Sequence, residues 1–451
     1  MAKTYQKLNA IKSRIKLISL FFGGLVLFLS LPSRANMTLI SDVETEIYLH
    51  KLISPIFKTA GVTFDKNKIF LVQDNSLNAF VSDGNNLFIN TETIIKANSD
   101  DELRGIIAHE TGHILGGHIL RHKLHLNELQ NISLASMIIA GAVGAVSGRG
   151  DVATAIALGT QSSLINKSLH YNIEEERSAD EAAISLLNKL KHSPQGLLNF
   201  MKKIKAQNQL NGINENAYFR THPLTAERIS FLQQATNNSS YTPQITASNE
   251  LKRIQAKLYA FIKSPSNTYI KYPANDGSIV SRYARVIADF KSLKFNNALK
   301  SIDNLIKQEP NNPHFKELKG QIFFELGKIK EAKQEFAQSV KILPSATLFK
   351  INEAQASLEL NPSPSELKKI IANLQYALTV QNNPMAWLLL SRAYHLDNKN
   401  TEAQYAAAYY SFLCGDIDIS LKQAQKAKDM SIDPLLTVKI DDLINLIKQR
   451  N

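Results

Sequence analysis

The stretch Ala108-His109-Glu110-Thr111-Gly112-His113-Ile114 carries an H-E-x-x-H motif, and the residues around it place that motif on a helix. Ser99 and Glu102 predict a capping box at the start, and Leu103, Ile106, Ile107 and Ile114 recur at helical spacing. Side chains four apart on a helix stand one above the other, so His109 and His113 can hold a single metal ion, expected to be zinc, one per chain. Glu110 projects beside them, where a carboxylate can take a proton from a water whose pKa zinc lowers to about 7. At this composition the motif arises by chance only about 0.02 times, which disfavours two incidental surface histidines.

The next residues do not supply a third ligand in the H-E-x-x-H-x-x-G-x-x-H manner. Gly116 fits that pattern, but position 119 is Ile, and His118 comes one residue early, about 100° away around a continuing helix. His118 and His122 are therefore expected to be solvated.

At the N-terminus, Lys3, Lys7, Lys12, Arg14 and Lys16 precede an apolar run over 17–31, and Ser33-Arg34-Ala35 supplies small residues for cleavage. This predicts a signal peptide over 1–35 and export to a bacterial periplasm, because the run is short for a bilayer span. Its removal takes six Lys/Arg and no acid, halving the net charge of +12 to +6. The remaining basic residues are scattered, so nucleic acid is not an expected partner. Cys414 is the only cysteine, so no internal disulfide can form in the exported chain.

Val43, Ile47, Leu52, Ile53, Ile56 and Phe57 predict an amphipathic first helix that stops at Gly61. Three short apolar segments, 69–72, 78–81 and 87–90, with Asp83-Gly84 in a turn, predict a small antiparallel sheet beside the motif helix. An edge strand there could align an extended peptide by backbone pairing. Two apolar helices joined by a glycine turn are expected over 132–165, buried against the domain or in peripheral contact with a membrane. Beyond them, Glu174-Glu175-Glu176-Arg177-Ser178-Ala179-Asp180 reads as a helix with acids on one side. It offers a Glu ligand and, in Asp180, a carboxylate for the free ring nitrogen of a ligand histidine; which glutamate ligates is open from spacing alone.

The order His109-Glu110-x-x-His113, apolar hairpin, Glu176-Arg177-x-Ala179-Asp180, then Thr221-His222-Pro223-Leu224 with Arg228, resembles the BepA-type periplasmic zinc metallopeptidases. These are related to the HtpX membrane proteases and the CAAX-processing gluzincins. The resemblance spans roughly residues 38–235 and implies that Glu176 is the third ligand and that Asp180 supports a ligand histidine. It further implies that His222 faces the zinc, as a resting-state ligand or a transition-state donor.

After a Thr/Asn/Ser/Pro-rich stretch over 236–249, the chain repeats. Ala298 and Ala332, Pro310 and Pro344, Phe295 and Ile329, and Ile302 and Phe336 are each 34 residues apart, the tetratricopeptide (TPR) period, with Gly320 at a small-residue position. Trp387, Leu390, Tyr394 and Ala403 fit the same pattern, and Ala372 with Pro384 repeats the interval of Ala298 to Pro310. Such helix pairs stack into a solenoid that docks partners or substrates.

The expectation is an α+β, mainly helical chain: a zincin-like gluzincin domain at 36–235, a linker at 236–249 and an all-α TPR solenoid at 250–451. Its expected function is zinc-dependent endopeptidase, with Glu110, Asp180 and His222 as catalytic residues. Misfolded or unassembled envelope proteins would be substrates, and outer-membrane assembly machinery a partner through the repeats. The alternative is a chaperone-like binding protein with a largely autoinhibited peptidase domain. N-terminal sequencing of the exported chain should return Asn36; Met1 or Ala2 recovered from a membrane pellet would refute the cleavage site.

Overall fold

The computed structural model describes residues 27–28, 38–63, 68–121, 173–211, 218 and 222–450. His122, Thr221, the 132–165 hairpin and all of the 1–35 segment except Leu27–Phe28, which pairs antiparallel with Thr38–Ile40, lie outside the described residues. The chain forms two compact units, residues 47–252 and residues 1–46 with 253–451. Among the described residues no helix is long and apolar enough to cross a membrane.

Helix α1 (Val43–Thr59) starts where Asp42 accepts the Thr45 N–H at 2.9 Å, and the chain leaves it through Gly61 at φ 68°. Three strands follow in the 47–252 unit: β1 (Ile69–Val72), β2 (Ala79–Ser82) and β3 (Asn86–Asn90). Strands β2 and β3 form the expected hairpin, its turn carried by positive φ at Gly84 and Asn85. Strand β1, however, pairs parallel with β3, so this sheet is mixed rather than antiparallel throughout. The connection from Val72 crosses past β3 to start β2, a topology that hydrophobic alternation does not encode.

After the short α2 (Thr91–Ile95) comes the motif helix α3 (Asp100–Leu115). Ser99 caps it by accepting the Glu102 N–H at 3.3 Å, while the Glu102 carboxylate reaches Asn98 N and Lys203 instead of closing a reciprocal box. Helix α3 packs on α4 (Ile173–Lys189) and α5 (Gln195–Asn211) at backbone contact. A methyl on Gly112 would lie 2.6 Å from the Ala179 carbonyl oxygen, and one on Gly105 would lie 2.4 Å from Leu197 N. Helix α6 (Ala226–Asn237) includes the first residues of the expected linker, and the rest of that linker is tied down. Gln244 N donates to Asp101 at 2.6 Å, and Ser248 donates twice to Asp100 at 2.8 Å.

The other unit contains the repeat helices. Phe295–Gln308 and Ile329–Ile342 begin 34 residues apart, as do Pro313–Glu325 and Thr347–Leu358. Ala298, Ile302, Ala332 and Phe336 are buried as the repeat predicts, and Gly320 is small because a methyl there would lie 2.6 Å from the Phe336 ring. One assignment fails: Ala372 is exposed, and helix Pro364–Val380 buries Ile370, Ile371, Leu374 and Ala377 instead. A longer helix at that repeat turns a different face inward. In the same unit Lys257 is buried and ion-paired with Asp42 and with Glu44, which also accepts from Arg253 at 2.5 Å. Burial opposes the Lys257 charge, but Asp42, Tyr283 and Glu44 outweigh it and hold its pKa well above normal.

The Gly112 contact fixes where α4 presents its acids. Gly112→Ala should destabilise the chain by about 1–3 kcal/mol through overpacking, read as a lowered urea midpoint; an unchanged midpoint would show that α3 and α4 have room to separate.

Candidate metal centre

Helix α3 carries His109 and His113 one turn apart on the face turned to α4, with Nε2 atoms 3.2 Å from one another and both rings buried. Glu176 of α4 points between them: its Oε2 lies 3.4 Å from His109 Nε2 and its Oε1 3.3 Å from His113 Nε2. Glu174 is exposed and Glu175 faces Arg121, so of the three glutamates only Glu176 converges on the histidines. His222 donates from Nδ1 to Glu176 at 2.8 Å, and the four residues offer ligand atoms all within 4.8 Å of one another.

Electrostatics decide whether this cluster fits a cation. Burial alone would raise the Glu176 pKa, but His222, His109 and His113 hold it well below the usual carboxylate range. Burial opposes the charge on His109 and His113 alike, and it takes His113 well below its normal pKa. His109 goes the other way, up to about 10, because its hydrogen bonds to Asp180 and Glu176 overcome burial. An ionised carboxylate under two ring nitrogens therefore demands positive charge at their meeting point. A proton on His109 meets that demand, and so does a divalent ion. Nitrogen and oxygen donors in a tight, buried set suit zinc.

Each of these groups is held from behind. Asp180 lies 2.9 Å from His109 Nδ1, as expected of the second carboxylate. Arg228, buried on α6, donates Nε and Nη2 to the two Asp180 oxygens at 2.8 and 3.0 Å. Its Nη1 lies 2.5 Å from Glu176 Oε2 and donates to the Pro223 carbonyl. Tyr218 stacks on His222 with ring centres 4.5 Å apart. Glu110 Oε2 accepts the Val81 N–H at 3.1 Å, and its Oε1 is buried 3.7 Å from His222 Nε2. Burial raises the Glu110 pKa despite the opposing pull of His222 and His109, which suits a group that takes up and returns a proton.

Of the six expected site residues, His109, His113, Glu176 and His222 thus bring their ligand atoms together, while Glu110 lies beside His222 and Asp180 lies behind His109. The expectation that His118 is solvated is overturned: it is buried, with Nδ1 2.8 Å from His113 Nδ1. A helical wheel misplaces it because α3 ends at Leu115 and Gly117 turns the chain at φ 64°. The Gly116-Gly117 pair was the available signal. Sequence reading also missed what Arg228 and Tyr218 do, since neither has a characteristic spacing from the motif.

The model of peptidase family M48 matches residues 44–236. The chain is 22% identical over 429 residues to the Beta-barrel assembly-enhancing protease of Escherichia coli (strain K12), an alignment covering 92% of this chain and 85% of the relative. To the protein of that name from Yersinia pestis it is 21% identical over 369 residues, covering 80% and 74%. To the Protease HtpX homolog of Helicobacter pylori (strain Shi470) it is 28% identical over 215 residues, covering 43% and 68%.

Arg228→Leu would leave the Asp180 and Glu176 carboxylates facing each other without their shared cation. The metal-free chain should lose about 3–5 kcal/mol of stability by urea denaturation, whereas an unaltered midpoint would show that Arg228 is dispensable to the cluster.

Proposed function

From a peptidase family M48 domain at residues 44–236, which makes the chain a metalloprotease, we propose a zinc-dependent endopeptidase of the bacterial periplasm that acts on outer-membrane proteins during their assembly. The observation that carries the chemistry is the convergence of His109, His113 and Glu176 beside a buried Glu110 whose second oxygen faces the site. Those three residues would hold the ion, and zinc supplies a Lewis acid that acidifies water and polarises a peptide carbonyl.

The protein's own groups do the rest. Glu110 removes a proton from the attacking water, whose oxygen bonds to the scissile carbon; as the C–N bond breaks, Glu110 returns that proton to the departing nitrogen. The Val81 N–H fixes the carboxylate for both transfers. Asp180 sets the His109 ring, and Arg228 sets Asp180 and Glu176 together. His222 is placed to donate to the developing oxyanion or, at rest, to occupy the fourth donor position.

Strand β2 supports a protein substrate. Its inner edge pairs with β3, and the N–H of Val81 points outward to Glu110, so an extended peptide running along the outer edge would pass the catalytic carboxylate. The relatives named for β-barrel assembly, the expected signal peptide and the repeats together support envelope proteins as clients, docked through the repeat helices. A second reading is favoured by one observation: every donor residue is buried and His222 bonds directly to Glu176, as in a resting site held shut. In that reading the repeats bind clients or assembly machinery and proteolysis is occasional.

Glu110→Gln should retain zinc, measured by metal analysis of the purified chain, while casein cleavage falls by about 10²–10⁴-fold. Gln keeps the shape and loses the proton acceptor, so full cleavage by that variant would sink the mechanism.

A further inference from the structure

The part of the site that the function above does not use is the turn after α3. We propose that His118 is a positioning residue for the metal centre, holding the His113 ring in its ligating tautomer and orientation through the Nδ1 to Nδ1 hydrogen bond. The inference rests on the zinc reading given above.

A histidine that ligates through Nε2 is neutral and keeps its remaining proton on Nδ1. In a dry interior that N–H needs an acceptor, and the acceptor fixes both the tautomer and the rotation of the ring. For His109 the acceptor is Asp180, 2.9 Å from Nδ1. For His113, whose Nε2 faces Glu176, the Nδ1 side faces Nδ1 of His118 at 2.8 Å, with the two rings steeply inclined at 73°. His113 then donates, and His118 accepts while carrying its own proton on Nε2. The ligands are thus backed by different acceptors, one charged and one neutral.

The chain is shaped to place this ring. Helix α3 stops at Leu115, Gly116 caps it, and Gly117 takes a left-handed conformation that an L side chain would strain. The turn folds His118 back against Gly116 so closely that a methyl there would lie 2.2 Å from His118 Nε2. Arg121 clasps the turn by donating to the Gly116 carbonyl at 2.6 Å. Two consecutive glycines, a buried imidazole and a clasping arginine are a costly way to end a helix, and each is explained by delivery of one acceptor to His113.

The test uses the full mature chain and zinc ion alone, with affinity measured by competition against a chromophoric chelator. His118→Leu removes the acceptor and should weaken zinc binding about 10–100-fold. His118→Asn places an amide oxygen near the lost Nδ1 and should restore affinity to within a few-fold of the natural chain. A merely structural role would not distinguish the two variants in this way. A Leu variant that binds zinc as tightly as the natural chain overturns the inference, and so does an Asn variant as weak as Leu. Should either variant fail to fold, the natural zinc-loaded chain labelled with ¹⁵N decides: scalar coupling across the hydrogen bond between the Nδ1 nuclei of His113 and His118 supports the assignment, and a His113 Nδ1 proton coupled to no second ring nitrogen overturns it. If the natural chain itself binds no zinc, the metal reading fails first and this inference falls with it.

Discussion

Two ionised carboxylates, Glu176 and Asp180, sit one turn apart on α4 with no access to water, and the architecture of the 47–252 unit follows from keeping them charged. Desolvation of a lone buried carboxylate is expensive enough that the group would normally take up a proton. Here Arg228 bridges the pair from behind, and His109 and His222 face them from the front. Burial pushes both pKa values up, and these partners push them below the ordinary range. The acids therefore stay ionised beside the proposed ligand histidines. A dication and Arg228 together would match the charge of Glu176, Asp180 and an ionised Glu110, which accounts for a neutral imidazole, rather than another carboxylate, behind His113.

That electrostatic cluster could not assemble if α3 and α4 met at ordinary side-chain distance. Gly112 lets the α3 backbone touch Ala179, and this contact lies between the histidines on one helix and the acids on the other. Gly105 against Leu197 does the same for α5. Close approach and buried charge thus support each other: the glycines give no side-chain contact of their own, and the ion pairs across the gap supply the attraction. The hydrogen bond from Val81 N to Glu110 extends the arrangement to the sheet, tying the outer edge of β2 to the Glu110 carboxylate.

Much of this was legible in the sequence because the chemistry is local. H-E-x-x-H and the Glu176 to Asp180 spacing each lie within one helix, where a fixed period of 3.6 residues decides which side chains share a face. The 34-residue repeat is legible for the same reason, since each helix pair solves its burial in the same way. What could not be read depends on where the chain leaves a helix or on partners remote in sequence. His118 follows a left-handed glycine, so the helical period no longer governs it. Arg228 meets Asp180 across 48 residues, and β1 lies parallel to β3 by a crossing that alternation leaves undetermined. Ala372 kept its interval to Pro384 while its helix turned another face inward, so a sequence interval can outlast the packing it normally reports.

The domain boundary is subject to the same distinction. Composition places a linker at 236–249, yet the backbone N–H groups of Gln244 and Ser248 donate to Asp101 and Asp100, two of the acids in the first turn of α3. At the other end of the sequence, Asp42 and Glu44 flank the start of α1, and their partners Lys257 and Arg253 come after the linker. Tyr283 adds a hydrogen bond to Glu44 at 3.3 Å. A fragment ending before residue 236 would keep every proposed zinc ligand but strip the countercharges from two carboxylates that burial would otherwise protonate. Those acids would have to return to water, and the first turn of α1, which depends on Asp42 for its cap, would fray with them. The proposed metal ligands all precede the linker, whereas the stable start of the helix that leads into them is made by residues on both sides of it.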